Sequence, residues 1–310
     1  MKIWMKAALI SLLWLSAVHA GTAAAVLPTV LTRSPDHPVL VPRGSNWESL
    51  AVFNPSVLWD GRQYVMLYRA QDQRDVSRIG LALSADGVSF RAEAEPVLVP
   101  EGPGEAGGVE DPRLVLLGTE YLLTYTAYDG HSSAQLRAAL SSDLHHWTRL
   151  GPMLGEDWSK SGAILNQPLD GLYFMYFGDK VIRLATSPDA RHWTAEAAAV
   201  LSPRPSSWDE GGVESGPPPI LTSQGILLIY NGRDRNNVYA VGAALLDPGD
   251  PGHVLQRSVT PLLKVERLYE KEGTVPNVVF VEGLVYRDGE VQVWYGGGDK
   301  VIGRAVVKWP

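Results

Sequence analysis

A repeated pattern of paired strands is the feature that most limits how this chain can fold. Five segments each contain an apolar run, a tight turn that includes Gly, and a second apolar run with aromatic residues. The segments are Asn54 to Ala70, Asp111 to Ala127, Ser161 to Gly178, Ser215 to Gly232 and Pro276 to Gly297. Their starts lie 57, 50, 54 and 61 residues apart, a spacing typical of radial or solenoidal repeats. Because no segment after residue 20 combines helical periodicity with capping signals, we predict an all-β fold.

A second motif follows three of these segments and favours one architecture. It reads "SADGVSF" at Ser84 to Phe90, "SSDLHHW" at Ser141 to Trp147 and "TSPDARHW" at Thr186 to Trp193. In each motif we expect the Asp to accept hydrogen bonds from backbone amides while the aromatic ring packs under the turn. Five units of about four strands each predict a five-bladed β-propeller, with residues 21–310 as one domain. The last unit is short, so we expect a strand near Val26 to Val41 to complete it.

The first twenty residues, "MKIWMKAALISLLWLSAVHA", have the pattern of a secretory signal peptide. Two lysines precede an apolar stretch of about a dozen residues, and the small residues Val18 and Ala20 predict cleavage after Ala20. That stretch is shorter than the ~20 apolar residues that a membrane span requires. We therefore expect a periplasmic or secreted protein that has no membrane attachment after signal cleavage.

Charge and cysteine content exclude several classes of partner. Without the leader, 25 basic residues face 34 acidic ones, a formal net charge of −9. Nucleic acid and anionic membranes are therefore unsuitable partners, because they bind basic surfaces. The chain contains no cysteine, which excludes disulfides and thiolate metal sites. The seven histidines lack zinc-binding spacing, so no metal and no cofactor is expected.

In a propeller the inner strands begin around one central funnel, so residues at the heads of the repeats converge. The head residues are Asn54, the Glu110-Asp111 pair, Lys160-Ser161, Glu214-Ser215, Asn277 and Glu282. Strand ends add Arg69, Tyr128, Asn231 and Asp299. Acids, amides and aromatic rings suit a sugar, whose hydroxyls need hydrogen bonds and whose ring faces need flat apolar contact. Separated carboxylates supply the acid and base that cleave a glycosidic bond.

Each candidate acid also has a purely structural interpretation. Asp111 can be part of an Asp-Pro turn in which Arg113 pairs with Glu110. Glu282 lies inside the apolar run "VVFVEGLVY", where the alternative to a functional role is an ion pair within the core. Asp299 can belong to an ordinary glycine-rich turn.

Similar alternatives apply to the acids and tryptophans of the loops. Glu214 can be simple surface charge, and its neighbours Asp209 and Glu210 are expected to be solvated loop acids. Among the ten tryptophans, Trp47, Trp158 and Trp208 lie in loops and are the better candidates for sugar-binding platforms.

Four ordered motifs give the chain a family resemblance. They are "FNPSVLWDGRQYVMLYRAQ", "GGVEDPRLV", "SGPPPILTSQGILLIYNG" and "VWYGGGDKVIGRA". Together, over about Ser45 to Val306, the chain resembles glycoside hydrolase family 130, five-bladed propellers that include β-mannoside phosphorylases and β-mannosidases. The resemblance implies that Asp111 is the catalytic acid. It also implies that Asn54, Arg69 and Asp299 bind the sugar on the non-reducing side of the cleaved bond.

Departures from the family pattern favour hydrolysis over phosphorolysis. Phosphorylases of the family carry Tyr-His-Gly where this chain has Tyr230-Asn231-Gly232, and a His-Arg pair where it has Phe177 and Gly178. Those basic groups hold phosphate, although Lys160 can partly replace them. The family's hydrolases instead carry glutamates near the catalytic centre, and Glu214 and Glu282 resemble that pair.

The resulting hypothesis is an exported, inverting β-mannoside hydrolase that acts on manno-oligosaccharides, with β-1,2 linkages favoured. Asp111 would be the acid, while Glu214 and Glu282 would activate water. Lys160 and Asn231 join the expected substrate-binding residues. Three alternatives remain open: a phosphorylase that releases mannose 1-phosphate, a sugar-binding propeller without catalysis, and a related five-bladed family that acts on arabinofuranosides.

Overall fold

A computed structural model describes residues 26–310 of the chain. The expected signal peptide lies outside these described residues. Within residues 26–310, strands dominate, and helix is limited to a 3-10 turn at Pro103–Glu105 and one short helix, α1 (Leu268–Lys271). The predicted all-β fold is therefore confirmed. Between Val26 and Pro310, no helix has both the length and the apolar character needed to cross a bilayer.

The strands fall into five consecutive antiparallel units, preceded by a short strand, β1 (Thr32–Arg33). Unit one contains β2 (Ala51–Trp59), β3 (Tyr64–Gln71), β4 (Ser77–Ser84) and β5 (Arg91–Ala92). Unit two contains β6 (Gly108–Leu117), β7 (Glu120–Tyr128), β8 (Ala134–Ser141) and β9 (Thr148–Pro152). Unit three contains β10 (Ala163–Ile164), β11 (Tyr173–Phe177), β12 (Ile182–Ser187) and β13 (Thr194–Leu201).

The last two units complete the set. Unit four contains β14 (Gly212–Ser215), β15 (Ile220–Thr222), β16 (Gly225–Arg233), β17 (Tyr239–Asp247), β18 (Asp250–Arg257) and β19 (Leu263–Lys264). Unit five contains β20 (Val279–Arg287), β21 (Glu290–Gly297) and β22 (Val301–Lys308). Strand β1 pairs with β22, with Thr32 opposite Val306, which confirms that an N-terminal strand completes the last unit.

Each unit contacts the next one, and unit five contacts unit one. A single parallel pairing, between Ser77 and Gly108, joins units one and two into one eight-stranded sheet. Strands β2 and β20 pack together, as do β16 and β20, so the contacts between units form a closed series. The heads of β2, β6 and β20 are thereby brought to one place, as the repeat predicts.

Burial explains the two kinds of strand pattern. The second strands of the units are nearly continuous apolar runs, such as "GILLIYNGR" in β16, because other sheets cover both of their faces. The outer strands are more exposed, as in β13, where most residues face water. The apolar core therefore lies between neighbouring units, and the outer strands form their exposed edges.

Each unit has a buried tyrosine on an inner strand, and in four of the units it fixes the chain segment that precedes the unit. The five are Tyr68, Tyr125, Tyr176, Tyr230 and Tyr295. Four of their hydroxyls donate to buried carboxylates, namely Glu48, Glu105, Asp209 and Glu270. The expectation that Asp209 is a solvated loop acid is wrong. Its side chain is fully buried because Arg204, Arg257 and Tyr230 satisfy it. Glu210 is only partly covered and pairs with exposed Arg235.

The repeated hairpin motif forms as predicted. Oδ1 of Asp143 accepts hydrogen bonds from the backbone amides of His145 and His146 at 2.9 and 2.8 Å, and Asp86 and Asp189 do the same in their motifs. Trp147 packs against the cluster between units one and two. The motif thus closes the outer edge of a unit and keeps its aromatic ring under the turn.

Candidate active site

Three of the inner strands carry a β-bulge at a residue singled out from the sequence. The ladder shifts between Phe53 and Pro55 in β2, between Glu110 and Arg113 in β6, and between Val281 and Gly283 in β20. The shifts leave Asn54, Asp111 and Glu282 outside the regular pairing, which redirects a side chain from the sheet. Asn54 and Asp111 have φ of 47° and 52°, a left-handed conformation that Asn and Asp tolerate best.

Asp111 lies at the centre of a hydrogen-bonded cluster. Its Oδ1 accepts from Nδ2 of Asn54 at 2.8 Å and from Nη1 of Arg69 at 3.0 Å. Arg69 also donates from Nη2 to Oε1 of Glu110 at 2.7 Å, so one guanidinium holds both adjacent acids. Asn54 and Asp111 are 6% and 5% exposed, which makes this the deep part of the site.

The pKa values of the two adjacent acids are shifted in opposite directions. Burial raises the pKa of Asp111, but the charges of Arg69 and Lys160 and the Asn54 hydrogen bond outweigh burial and hold this pKa well below its usual value. Burial raises the pKa of Glu110, and Arg69 offsets that only in part. Asp111 is therefore ionised in the free protein.

Arg113 connects unit two to unit four and to Glu282. Its Nε and Nη2 donate to the carbonyl oxygens of Gly216 and Ser215 at 2.7 and 2.8 Å. Its Nη2 also lies 3.0 Å from Oε1 of Glu282. The alternative interpretation, in which Arg113 pairs with Glu110, is therefore wrong. Their side chains lie on different parts of the bulged strand, and Arg69 from unit one neutralises Glu110 instead.

Glu282 is completely buried. Arg113 is close enough for an ion pair, but its N–H groups point at backbone carbonyls. Within residues 26–310, neither Glu282 oxygen accepts a geometrically sound hydrogen bond. Burial raises the pKa of Glu282 well above its usual value, and nearby Asp111 and Glu214 raise it further. Glu282 thus forms an ion pair within the core and also belongs to the acidic cluster, so both interpretations apply to it.

Glu214 approaches the same cluster from unit four and retains partial exposure. Its Oε1 accepts a short hydrogen bond from the hydroxyl of Ser161, whose φ of 60° turns it toward unit four. Burial raises the pKa of Glu214, although Lys160 and Ser161 oppose the change. Simple surface charge is therefore not the role of Glu214.

Lys160 and Asp299 complete the charged lining. Burial lowers the pKa of Lys160, but Asp111, Glu214 and Glu110 outweigh it and raise the pKa above its usual value. Burial, together with Asp111 and Glu214, raises the pKa of Asp299 to about 7 despite Arg69 and Lys160. Lys160 therefore stays charged, while Asp299 titrates near neutral pH.

Asn231 lies beneath the cluster. Its Nδ2 donates to the carbonyl of Val281 at 3.0 Å, and its Oδ1 accepts from the Val281 amide at 2.8 Å. The side chain is 1% exposed and holds the backbone just before the Glu282 bulge. The structure gives Asn231 a positioning role, and direct contact with a sugar stays a prediction.

Sequence reasoning missed one partner of the predicted residues, Arg113, which appeared only as part of a turn. Ser161 was among the head residues, but no contact was assigned to it. Arg113 lies two residues after Asp111, so closeness to a head residue was the available signal. Among the described residues no group of three or more His, Asp or Glu side chains is arranged so that it could hold a metal ion, and the site is built from carboxyl, amide, hydroxyl and cationic groups.

Carboxyl groups gathered at the strand heads of an all-β repeat fold are typical of glycan-active proteins. Residues 35–309 match the model of glycoside hydrolase family 130, described as beta-1,4-mannooligosaccharide phosphorylase. The chain belongs to this family.

Named relatives and solved structures agree with that assignment. A 1,2-beta-oligomannan phosphorylase of Thermoanaerobacter is 38% identical, with 90% of this chain and 97% of the relative covered. A putative glycoside hydrolase from Parabacteroides distasonis superimposes with a TM-score of 0.87 at 30% identity, covering 92% and 98% of the two chains. Another structure has a TM-score of 0.85 at 32% identity, covering 92% and 95%. It is described with the statement that the family contains hydrolases targeting β-1,2-mannosidic linkages in Candida mannan.

Proposed function

We propose that the protein is an exported, inverting β-mannoside hydrolase that acts on manno-oligosaccharides, with β-1,2 linkages favoured. The observation that carries the proposal is the convergence of Glu214 and Glu282 with Asp111 in one cluster. Relatives named for β-1,2-mannoside substrates support the linkage. We also propose that the five units form a five-bladed propeller, supported by the closed series of contacts between them.

The cations of the cluster are poorly placed to hold phosphate, which favours water as the attacking group. Five carboxyl groups face three cations, and the carboxyls are Glu110, Asp111, Glu214, Glu282 and Asp299. Arg69 is occupied by two acids, and Arg113 donates to backbone carbonyls. Within residues 26–310, Lys160 is the one cation of this cluster that donates no hydrogen bond. A phosphate dianion requires several charge-assisted donors, so one ammonium group is a poor phosphate site.

Asp111 would protonate the departing glycosidic oxygen. The carboxyl is ionised in the free protein, so it must gain a proton when the substrate binds. A sugar that excludes water from this pocket strengthens desolvation, already the largest influence on Asp111, and raises its pKa. Glu110, whose pKa is raised by burial despite the shared Arg69, is the carboxyl adjacent to Asp111.

Glu214 is the better placed base of the two glutamates. It combines partial exposure with a hydrogen bond from Ser161 that fixes one carboxylate oxygen and leaves the other for a water molecule. Glu282 is buried away from solvent and lies 3.0 Å from the Arg113 guanidinium. It is therefore better suited to influencing the electrostatics of the site than to binding water. In an inverting reaction the water attacks from the face opposite Asp111, and the acid and base lie about 6.5–9.5 Å apart.

Phosphorolysis is the second candidate, because the named relatives include 1,2-beta-oligomannan and beta-1,2-mannobiose phosphorylases. The test is incubation with linkage-defined mannobioses, with and without phosphate. Hydrolysis predicts release of mannose in both conditions, with β-1,2-mannobiose cleaved fastest. Strictly phosphate-dependent release of mannose 1-phosphate would overturn the proposal. Binding without any product would support a sugar-binding protein instead.

A further inference from the structure

The three loop tryptophans differ in their solvent exposure and packing. Trp47 is 7% exposed and stacks on Tyr68, with ring centroids 6.0 Å apart. Trp208 stacks on Tyr230 at 5.6 Å and donates to a backbone carbonyl. Trp158 is 48% exposed. The first two rings belong to the packing between units, so of the three only Trp158 presents a free face.

Trp158 is held in place by contacts of both its backbone and its indole N–H group. Its backbone forms a bridge with Ala134 of unit two, and the amide of Ser159 donates to the Ala134 carbonyl at 2.8 Å. Its indole N–H donates to Oδ2 of Asp179 at 2.8 Å, just after strand β11. An exposed aromatic side chain that is fixed in orientation offers a flat surface without a further loss of side-chain entropy on binding.

The Lys160 side chain lies between Trp158 and the acidic cluster. The Nζ atom of Lys160 is 5.9 Å from the centre of the Trp158 ring. The same ammonium group interacts with the charges of Asp111 and Glu214. The ring therefore lies at the rim of the site, whereas Asn54 and Asp111 lie at its bottom.

We propose that Trp158 is the platform for the sugar on the leaving-group side of the cleaved bond and sets the preference for that sugar. The inference rests on the proposed function. The sugar beside Asn54 and Arg69 occupies the deep part of the site, so the sugar across the glycosidic oxygen must lie toward the rim. The apolar face of a pyranose packs on an aromatic ring, while its hydroxyls reach the Lys160 ammonium.

The test compares a substrate that has a leaving-group sugar with one that lacks it. Wild type, Trp158→Ala and Trp158→Phe are assayed on β-1,2-mannobiose and on β-mannosyl fluoride, with and without phosphate. We expect kcat/KM of Trp158→Ala on mannobiose to fall about tenfold, chiefly through KM, because a stacked ring is lost. Trp158→Phe should recover most of this loss. Activity on the fluoride should stay within about twofold of wild type, since fluoride occupies no sugar position.

The control variant is Tyr286→Ala, which removes a 40% exposed aromatic ring near the turn between β20 and β21. It should leave both substrates unaffected. Unchanged mannobiose turnover in Trp158→Ala would overturn the inference, and so would equal losses on both substrates, which would show that the change disturbs Lys160. A wild-type protein inactive on both substrates would overturn the proposed function itself. Phosphate-dependent turnover would overturn hydrolysis, while the ratio between the two substrates would still decide the role of Trp158.

Discussion

Asn54 donates a hydrogen bond of 2.8 Å to the Asp111 carboxylate, and this bond joins a bulge in unit one to a bulge in unit two. Each residue is redirected from its strand by the bulge, and each has positive φ. The pair places a neutral donor on the group proposed as the catalytic acid. The protonation of Asp111 is therefore set partly by a residue of another unit.

Replacement of Asn54 should change the pH dependence of the reaction as well as its rate. The Asn54 hydrogen bond favours ionised Asp111, so Asn54→Ala should raise the Asp111 pKa and move the basic limb of the kcat profile, which reports the substrate complex, to higher pH. We expect kcat/KM at its optimum to fall about tenfold or more. Full pH profiles of wild type and variant provide the measurement. Asn236→Ala, in an exposed loop, is the control, and an unshifted profile at full activity would contradict this role.

Gly296 should be essential for the position of Asn54. A Cβ atom at residue 296 would lie 2.6 Å from Oδ1 of Asn54, which is too close for the Asn54 side chain to keep its position. Gly296→Ala should therefore reduce kcat/KM at least tenfold while circular dichroism still reports a folded β protein. Gly155→Ala is the matched control, because nothing lies within 4 Å of its Cβ position. Equal activity of the two variants would show that Asn54 need not stay where it is.

Asp299 should make stability depend on pH. Its pKa is raised in the folded protein to about 7 from a usual value of 3.8, so the native state binds its proton more tightly than the unfolded state. The free energy of unfolding therefore falls as pH rises from about 4 to 7, and this group adds no further change above that. Asp299→Asn should be more stable than wild type at pH 8, by up to about 4 kcal/mol.

Urea denaturation at pH 4, 6 and 8 measures that effect, with exposed Asp288→Asn as the control. The difference between Asp299→Asn and wild type should grow with pH, whereas the control should follow wild type throughout. A difference that is the same at all three pH values would be inconsistent with the raised pKa.

Glu270 should contribute strongly to the free energy of unfolding, because it connects β1 near the N-terminus to β21 near the C-terminus. It is fully buried and binds the Arg33 guanidinium of β1 through two contacts of 2.7 Å, while Tyr295 donates to it at 2.8 Å. Glu270→Gln should lower the free energy of unfolding by about 3–5 kcal/mol, because it leaves buried Arg33 with the exposed Glu266 as its remaining counter-charge. Glu266→Gln removes the second partner of Arg33, which is 45% exposed, and should cost under about 1 kcal/mol. Equal losses in denaturant titrations would refute the distinction.

The repeat made the fold and the place of the site predictable, but the partners within the site were not. Asn54, Asp111 and Glu282 could be chosen because they head strands whose Gly and aromatic pattern recurs. A bulge inserts one extra residue into a strand and leaves no distinctive residue pattern. The side chains that the bulges redirect could therefore not be recognised from the sequence. Ion pairs between units were not predictable either. The sequence offered Arg113 as an alternative partner for Glu110, whereas the fold supplies Arg69 from another unit. Asp209 was misjudged because its partners, Arg257 and Tyr230, come from distant strands.

The most direct test of the central claim is the identity of the first product formed from β-1,2-mannobiose in buffer that contains phosphate, followed by proton and phosphorus NMR. Cleavage frees two mannose molecules, and only the one from the non-reducing side takes its anomeric form from the reaction. Attack by water from the face opposite Asp111 predicts an initial excess of α-mannose above the anomeric mixture released from the reducing-end sugar, while the inorganic phosphate signal is unchanged. Mannose 1-phosphate as the first product would contradict hydrolysis, and an initial excess of β-mannose would contradict inversion.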